Sequence, residues 1–320
     1  MRAHIVALLA LAPACIIESR NVNVGQVNRP SVPFTTGAPP TGIAAITAGA
    51  SSMPTVTTPK NTDNTSGAEV PDTQIRGELV FRPTKRFFIG AVYEQGLGHQ
   101  RVDQTLPELR TGNVSGAGLI LGGTLAADPS SPFSMGVNLT LMRWSVPYDQ
   151  YTTATFDFAG ILTGVSQYQT HDEDSTGTIG VGLWPSYSFG QARVFGGGYI
   201  TQRPTVHLFT KDTTVIGPVS SHDEEEVIGN EAIDLVLAAG VEIALSKEFS
   251  LSAIINQEVL GATMRTGPSL QLAASVRLGE HSADRKRPPQ DPAPMYTPGP
   301  YTPAPPPPAP APYPPPPPPM

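Results

Sequence analysis

The chain has 320 residues, a net charge of −7 and a single cysteine, Cys15. An acidic balance with no basic stripe argues against nucleic acid as a partner, and one cysteine leaves no intramolecular disulfide. No run reaches the roughly 18 apolar residues of a membrane helix. A membrane-spanning reading therefore requires a closed β-barrel, the other structure that satisfies every backbone group in lipid.

Met1-Arg2-Ala3-His4 is a short basic start, and Ile5 to Ala12 is an apolar core. Ala12-Pro13-Ala14 then sets small residues where a signal peptidase cuts, so residues 1–14 read as an export signal. Leu11-Ala12-Pro13-Ala14-Cys15 resembles the lipobox of bacterial lipoproteins, with Ala12 where leucine is usual and Pro13 beside it. The resemblance implies lipidation of Cys15, whose acyl chains would hold the N-terminus to a leaflet. Ordinary cleavage after Ala14 fits the same residues.

Residues 15–73 are rich in Thr, Pro, Ser, Asn, Gly and Ala, with too few large apolar side chains to offset the entropy of ordering. They read as a flexible linker, except that Ile43 to Val56 has enough apolar residues for one strand.

A β-domain is expected over 74–279. Ile75, Gly77, Leu79 and Phe81 alternate with Arg76, Glu78, Val80 and Arg82, and a turn at Pro83-Thr84-Lys85 leads to Phe87, Ile89, Ala91 and Tyr93. A second hairpin pairs Ala117 to Leu125 with Phe133 to Leu141 across the turn formers Asp128 to Pro132. Between Trp144 and Ser175 lies a long insert, in which 151–158 and 161–168 extend the strands beyond a membrane. A third hairpin runs from Ile179 to Tyr187, turns at Gly190-Gln191 and returns through Ala192 to Thr201, where Gly196-Gly197-Gly198 interrupts either face. After an insert from Arg203 to Glu231, three regular strands close the domain: Ile233 to Leu245, Phe249 to Glu258, and Ser269 to Leu278. Residues 280–320 form a basic step, Arg285-Lys286-Arg287, and a proline tract that favours polyproline II. The tail reads as a spacer or docking segment toward peptidoglycan or a periplasmic partner, with Tyr296, Tyr301 and Tyr313 as anchors.

Alternation does not say whether the apolar face meets a core or lipid. Three features choose lipid. The polar face is built of Gly, Ser, Thr, Ala and Asn with few lysines, and short turns alternate strictly with long polar connections. Aromatics such as Phe81, Phe87, Tyr93, Phe133, Trp144, Tyr148 and Phe249 fall near strand ends, as interfacial girdles do. Nine strands are evident, and bacterial barrels use even numbers. Ile43 to Val56 supplies the tenth, although eight and twelve also satisfy parity. On this pattern 74–279 resembles the OmpA-like and related small outer-membrane β-barrel families. The resemblance implies an all-β, antiparallel up-and-down transmembrane barrel in the bacterial outer membrane, among lipid and lipopolysaccharide.

Arg76, Glu78, Arg82, Glu94, Asp234, Glu242, Glu258 and Arg277 fall on the inner face, where charges must pair or be hydrated. They suit a plugged, salt-bridged interior, or else the lining of a narrow pore. The acidic stretches His171-Asp172-Glu173-Asp174 and His222-Asp223-Glu224-Glu225-Glu226 lack calcium-loop spacing and read as solvated loop tips. His99, His171, His207 and His222 lie outside any recognisable catalytic motif, and no cofactor is implied. The function expected is a structural or surface-interaction role without catalysis. A narrow channel for small solutes, or an exported soluble β-barrel that binds a ligand, are the alternatives.

Overall fold

The computed structural model describes residues 15–26, 31–36, 43–52, 56–57, 68–84, 86–101, 112–126, 131–158, 162–204, 208–216, 219–228, 233–260 and 265–279. The expected export signal and proline-rich tail lie outside the described residues. Apart from two short strands at its margin, Ala68–Val70 and Gln100–Arg101, the strands of the main sheet are, in chain order, β1 (Cys15–Gln26), β2 (Ala44–Ser52), β3 (Thr73–Phe81), β4 (Phe87–Leu97), β5 (Ser115–Ala126), β6 (Phe133–Phe158) and β7 (Leu162–Phe189). They continue with β8 (Ala192–Gln202), β9 (Leu208–Ile216), β10 (Val219–Ile228), β11 (Ile233–Ala244), β12 (Phe249–Leu260) and β13 (Ser269–Leu278).

Ten of these close on themselves. Each of β2, β3, β4, β5, β6, β7, β8, β11, β12 and β13 pairs antiparallel with the next, and β13 returns to β2 through Leu278↔Ala44 to Gln271↔Ser51. The tenth strand is the one that parity required within 43–56. It places the start of the barrel at Ala44, thirty residues before the boundary expected at Gln74, because Ile46, Ala48 and Ala50 face outward like the strands beside them.

The alternation sets the two faces of the wall. Outward-pointing Leu79, Leu119, Ile179, Val181, Leu183, Leu237, Ile255 and Leu272 are all exposed, whereas Thr47, Arg76, Glu94, Asn138, Asp234 and Gln271 on the inner face are buried. A soluble fold has the reverse arrangement. Phe81, Phe87, Phe133, Tyr187 and Phe189 ring the short-turn end, and Tyr187 and Phe189 meet with ring centroids 6.5 Å apart. Trp144, expected in such a girdle, points inward. Arg143 takes the outward position beside it, and the buried Trp144 Nε1–H donates to Thr178 Oγ1 at 2.8 Å.

Above the barrel, at the long-connection end, the sheet continues. β6 and β7 stay paired from Phe133↔Tyr187 to Phe158↔Leu162. The far half of β6 also takes β1 along its other edge, and β9 and β10 follow, giving the order β7-β6-β1-β9-β10. The linker expected over 15–73 therefore contains an ordered twelve-residue strand. Ile16, Ile17, Val22 and Val24 supply enough β-branched residues for a strand once β6 offers an edge, a partner that no local sequence signal reveals.

The lipid-facing assignment has a direct energetic consequence. Leu183→Arg, near mid-height on the outer face of β7, is expected to cost about 2–4 kcal/mol, whereas Gln167→Arg in the extension costs close to nothing. Urea unfolding in lipid vesicles measures both.

Candidate functional site

The lumen is occupied by the chain itself. Residues 31–36 are all buried, although they belong to no strand. Their path is fixed at both ends. Above, the Gln26 side chain donates from Nε2 to Gly98 O at 2.9 Å and accepts from Val114 N–H at 2.7 Å, at the long-connection end. Below, Ile43 begins the run into β2 at the short-turn end, bonded from its N–H to Leu278 O and from its carbonyl to Arg82 N–H. Residues 31–36 thus descend through the barrel from one mouth toward the other.

A segment without strand partners needs acceptors for its N–H groups. The wall supplies two carboxylates. Ser31 donates from N–H to Glu94 Oε1 at 3.1 Å and from its hydroxyl to Oε2 at 2.7 Å. Phe34 and Thr35 donate from their N–H groups to the two oxygens of Glu78, each at 2.9 Å, and Thr35 Oγ1 adds a third bond. Between the carboxylates stands Arg76, 2.7 Å from Glu78 and 2.9 Å from Glu94. On the opposite wall Asn138 Nδ2 donates to Thr35 O at 3.0 Å.

Apolar contacts complete the plug. Val32 and Phe34 pack with Trp184, Phe195, Tyr199, Val236, Ala238, Ile254 and Ala273. Room for these rings comes from inward glycines: a Cβ on Gly49 would collide with the Phe34 ring, and one on Gly180 with Tyr199. The interior is therefore not uniformly polar, and the face that Gly196-Gly197-Gly198 left open is settled by Phe195 and Tyr199 pointing inward.

Two further ion clusters lie above and below. Near the upper rim Arg203 reaches Asp234 at 2.9 Å and Glu258 at 3.0 Å. Near the short-turn end Glu242 sits between Arg193 at 2.8 Å and Arg277 at 2.6 Å, with Ser250 Oγ donating to it and Thr36 Oγ1 beside Arg193. A cavity of about 30 Å³ lies there, lined by Phe34, Thr35, Arg193, Phe195, Glu242 and Arg277 among others. It has room for a water or two.

All eight inner-face charges expected from the sequence point into the lumen, and Arg82 is buried at the short-turn mouth. The pattern missed Arg193 and Arg203, which complete two clusters from positions read as a strand start and a loop. It also missed 31–36. The one available signal was Val32-Pro33-Phe34, a pair of large apolar residues inside a polar stretch.

The two acidic stretches are strand segments rather than loop tips. His171 to Asp174 lie in β7 opposite Tyr148 to Val146 and Asp149, and His222 to Glu226 lie in β10. His171 Nδ1 is 2.8 Å from the buried Asp149, which Gln169 Nε2 also approaches at 3.2 Å. Burial and the adjacent Asp172 carboxylate raise the Tyr148 phenol above its usual range, so it stays a donor to Asp172. His99 Nδ1 lies 3.2 Å from Glu69, and His207 lies outside the described residues. No group of three or more metal-ligating side chains occurs among the described residues. Cys15 begins β1 opposite Phe158, fifteen residues along β6 beyond Arg143, or about 50 Å of strand.

An exposed apolar exterior around a charged, filled interior is stable only in hydrocarbon. The chain is an outer-membrane β-barrel protein. In bacterial barrels the short turns face the periplasm, an orientation that would set the extension of this sheet on the outer side. No protein-family model and no curated protein matches the sequence. Among solved structures, an outer membrane channel from Pseudomonas putida F1 is 12% identical, with 77% of this chain and 99% of that chain covered and a TM-score of 0.35. The outer membrane protease OmpT from Escherichia coli is 9% identical over 82% of this chain and 94% of its own, with a TM-score of 0.30. The outer membrane protein Omp33 of Acinetobacter baumannii is 7% identical over 74% and 98%, with a TM-score of 0.29.

Removing the central cation should be severe. Arg76→Met leaves Glu78 and Glu94 buried without a counter-charge and is expected to cost about 3–5 kcal/mol. The shift of the urea midpoint in vesicles reads this directly.

Proposed function

We propose that this barrel is a closed membrane anchor for a surface-interaction sheet, and that it neither conducts solutes in its resting form nor catalyses a reaction. The observation that carries the reading is the burial of residues 31–36 among Glu78, Glu94, Arg76 and Asn138, which leaves the lumen filled with hydrogen-bonded protein. A conducting pore needs a hydrated path lined by groups that bind weakly enough to release. A second observation supports the surface role. The five-stranded extension places β1, β9 and β10 well beyond the apolar band, where they do nothing for membrane insertion. Arg20 and Asp212 face each other across β1 and β9, both exposed, 3.8 Å apart.

The expected result in planar bilayers is a closed full-length protein, and ion conductance once residues 16–36 are deleted. Steady conductance by the full-length chain would instead favour the narrow-channel reading.

A further inference from the structure

The outer wall carries one feature that neither insertion nor the plug uses. On β6 the outward positions run Phe133, Met135, Val137, Leu139 and Leu141, an apolar band of about 20–25 Å in height. The next outward residue is Arg143. Its cross-strand neighbours are small on both sides, Ala117 on β5 and Gly177 on β7. Below this row stand Leu119, Leu141 and Ile179. Above it stand three serines in register, Ser115, Ser145 and Ser175. The missing side chains beside Arg143 leave a shallow open depression of about 530 Å³ on the outside of the barrel.

Its upper end is polar, with Arg143 and Gln202 in the lining. The Arg143 guanidinium is exposed and donates from Nη2 to Ser175 Oγ at 3.0 Å, which sets its planar fork along the wall. Gln202, on the far side, uses its Oε1 to accept from Ile179 N–H at 3.1 Å, where β7 and β8 part. Glu173 hydrogen-bonds Ser145 just above the patch. Its charge bars an anion from rising past the serine row and so fixes the depth of any phosphate at Arg143. Arginine suits this task because its fork matches two phosphate oxygens.

We infer that this wall holds an anionic lipid of the outer leaflet, with its phosphate on Arg143 and an acyl chain descending over Ala117 and Gly177 between Leu119, Leu141 and Ile179. Charge complementarity selects the phosphate, and the position of Arg143 at the end of the apolar band selects a lipid over a soluble anion.

Native mass spectrometry of the purified full chain in detergent tests this with diphosphoryl lipid A, phosphatidylethanolamine and inorganic phosphate as probes. Wild type should retain diphosphoryl lipid A in preference to phosphatidylethanolamine and show no inorganic phosphate adduct. Arg143→Gln should weaken the lipid A adduct by about tenfold or more, the loss expected of charge-assisted hydrogen bonds. Gly177→Leu, which fills the depression without touching the charge, should weaken it as well, and Glu173→Gln should strengthen it. Heat-dependent gel mobility confirms that each variant is folded; all three positions face outward, away from the plug. Equal lipid A retention by wild type and Arg143→Gln overturns the site. So does equal occupancy by inorganic phosphate, or a lipid-free dimer closed over this face.

Discussion

Each backbone N–H and C=O that enters hydrocarbon must find its partner within the protein, since lipid offers none. Here that requirement is met by closure: β13 bonds to β2, so none of the ten barrel strands presents an open edge at membrane depth. Closure then dictates the rest. Alternate residues go to lipid, their neighbours go to a narrow interior, and any charge on an inward position must be neutralised there. Where the sheet leaves the membrane the constraint lapses. β7 loses β8 above Gly180, and β6 exchanges β5 for β1 above Ser145.

The lumen shows how the remaining cost is met. Glu78 and Glu94 are fully buried and would be prohibitive alone. Arg76 bridges the two and offsets one of their two charges, and the N–H groups of Ser31, Phe34 and Thr35 take up their other lone pairs. The dependence is mutual, because a lumen-threading segment without sheet partners needs those carboxylates as much as they need donors. Val32 and Phe34 add a small apolar core against Trp184 and Phe195. The plug and the wall therefore complete one another, and the inward glycines at Gly49 and Gly180 belong to the same arrangement.

The barrel was legible because a transmembrane strand writes itself at period two. Leu270 to Leu278 and Ile179 to Tyr187 announce both strand and face without reference to the rest of the chain. Parity recovered β2, and the inner-face charges followed from register. What escaped was whatever depends on distant partners. β1 is a strand because the far half of β6 offers an edge, and residues 31–36 are held by Glu78 and Glu94, partners 44 and 63 positions away in sequence. Arg193 and Arg203 were passed over because the first opens a glycine-broken strand and the second follows one, so neither showed a face. Trp144 was misplaced by the assumption that aromatics near strand ends belong to a girdle, when its parity with Asn138 and Thr140 already put it inside.

An N-terminal segment that threads the barrel places everything before Ser31 on the outer side, and the surface sheet, the closed lumen and the position of Cys15 all depend on it. Labelling of intact cells with a membrane-impermeant maleimide tests this most directly, using an Arg20→Cys variant with Cys15 left in place. Arg20 is exposed in the extension, so the account requires labelling without disruption of the outer membrane. Labelling that appears only after the outer membrane is permeabilised would place the segment in the periplasm and contradict the threaded lumen.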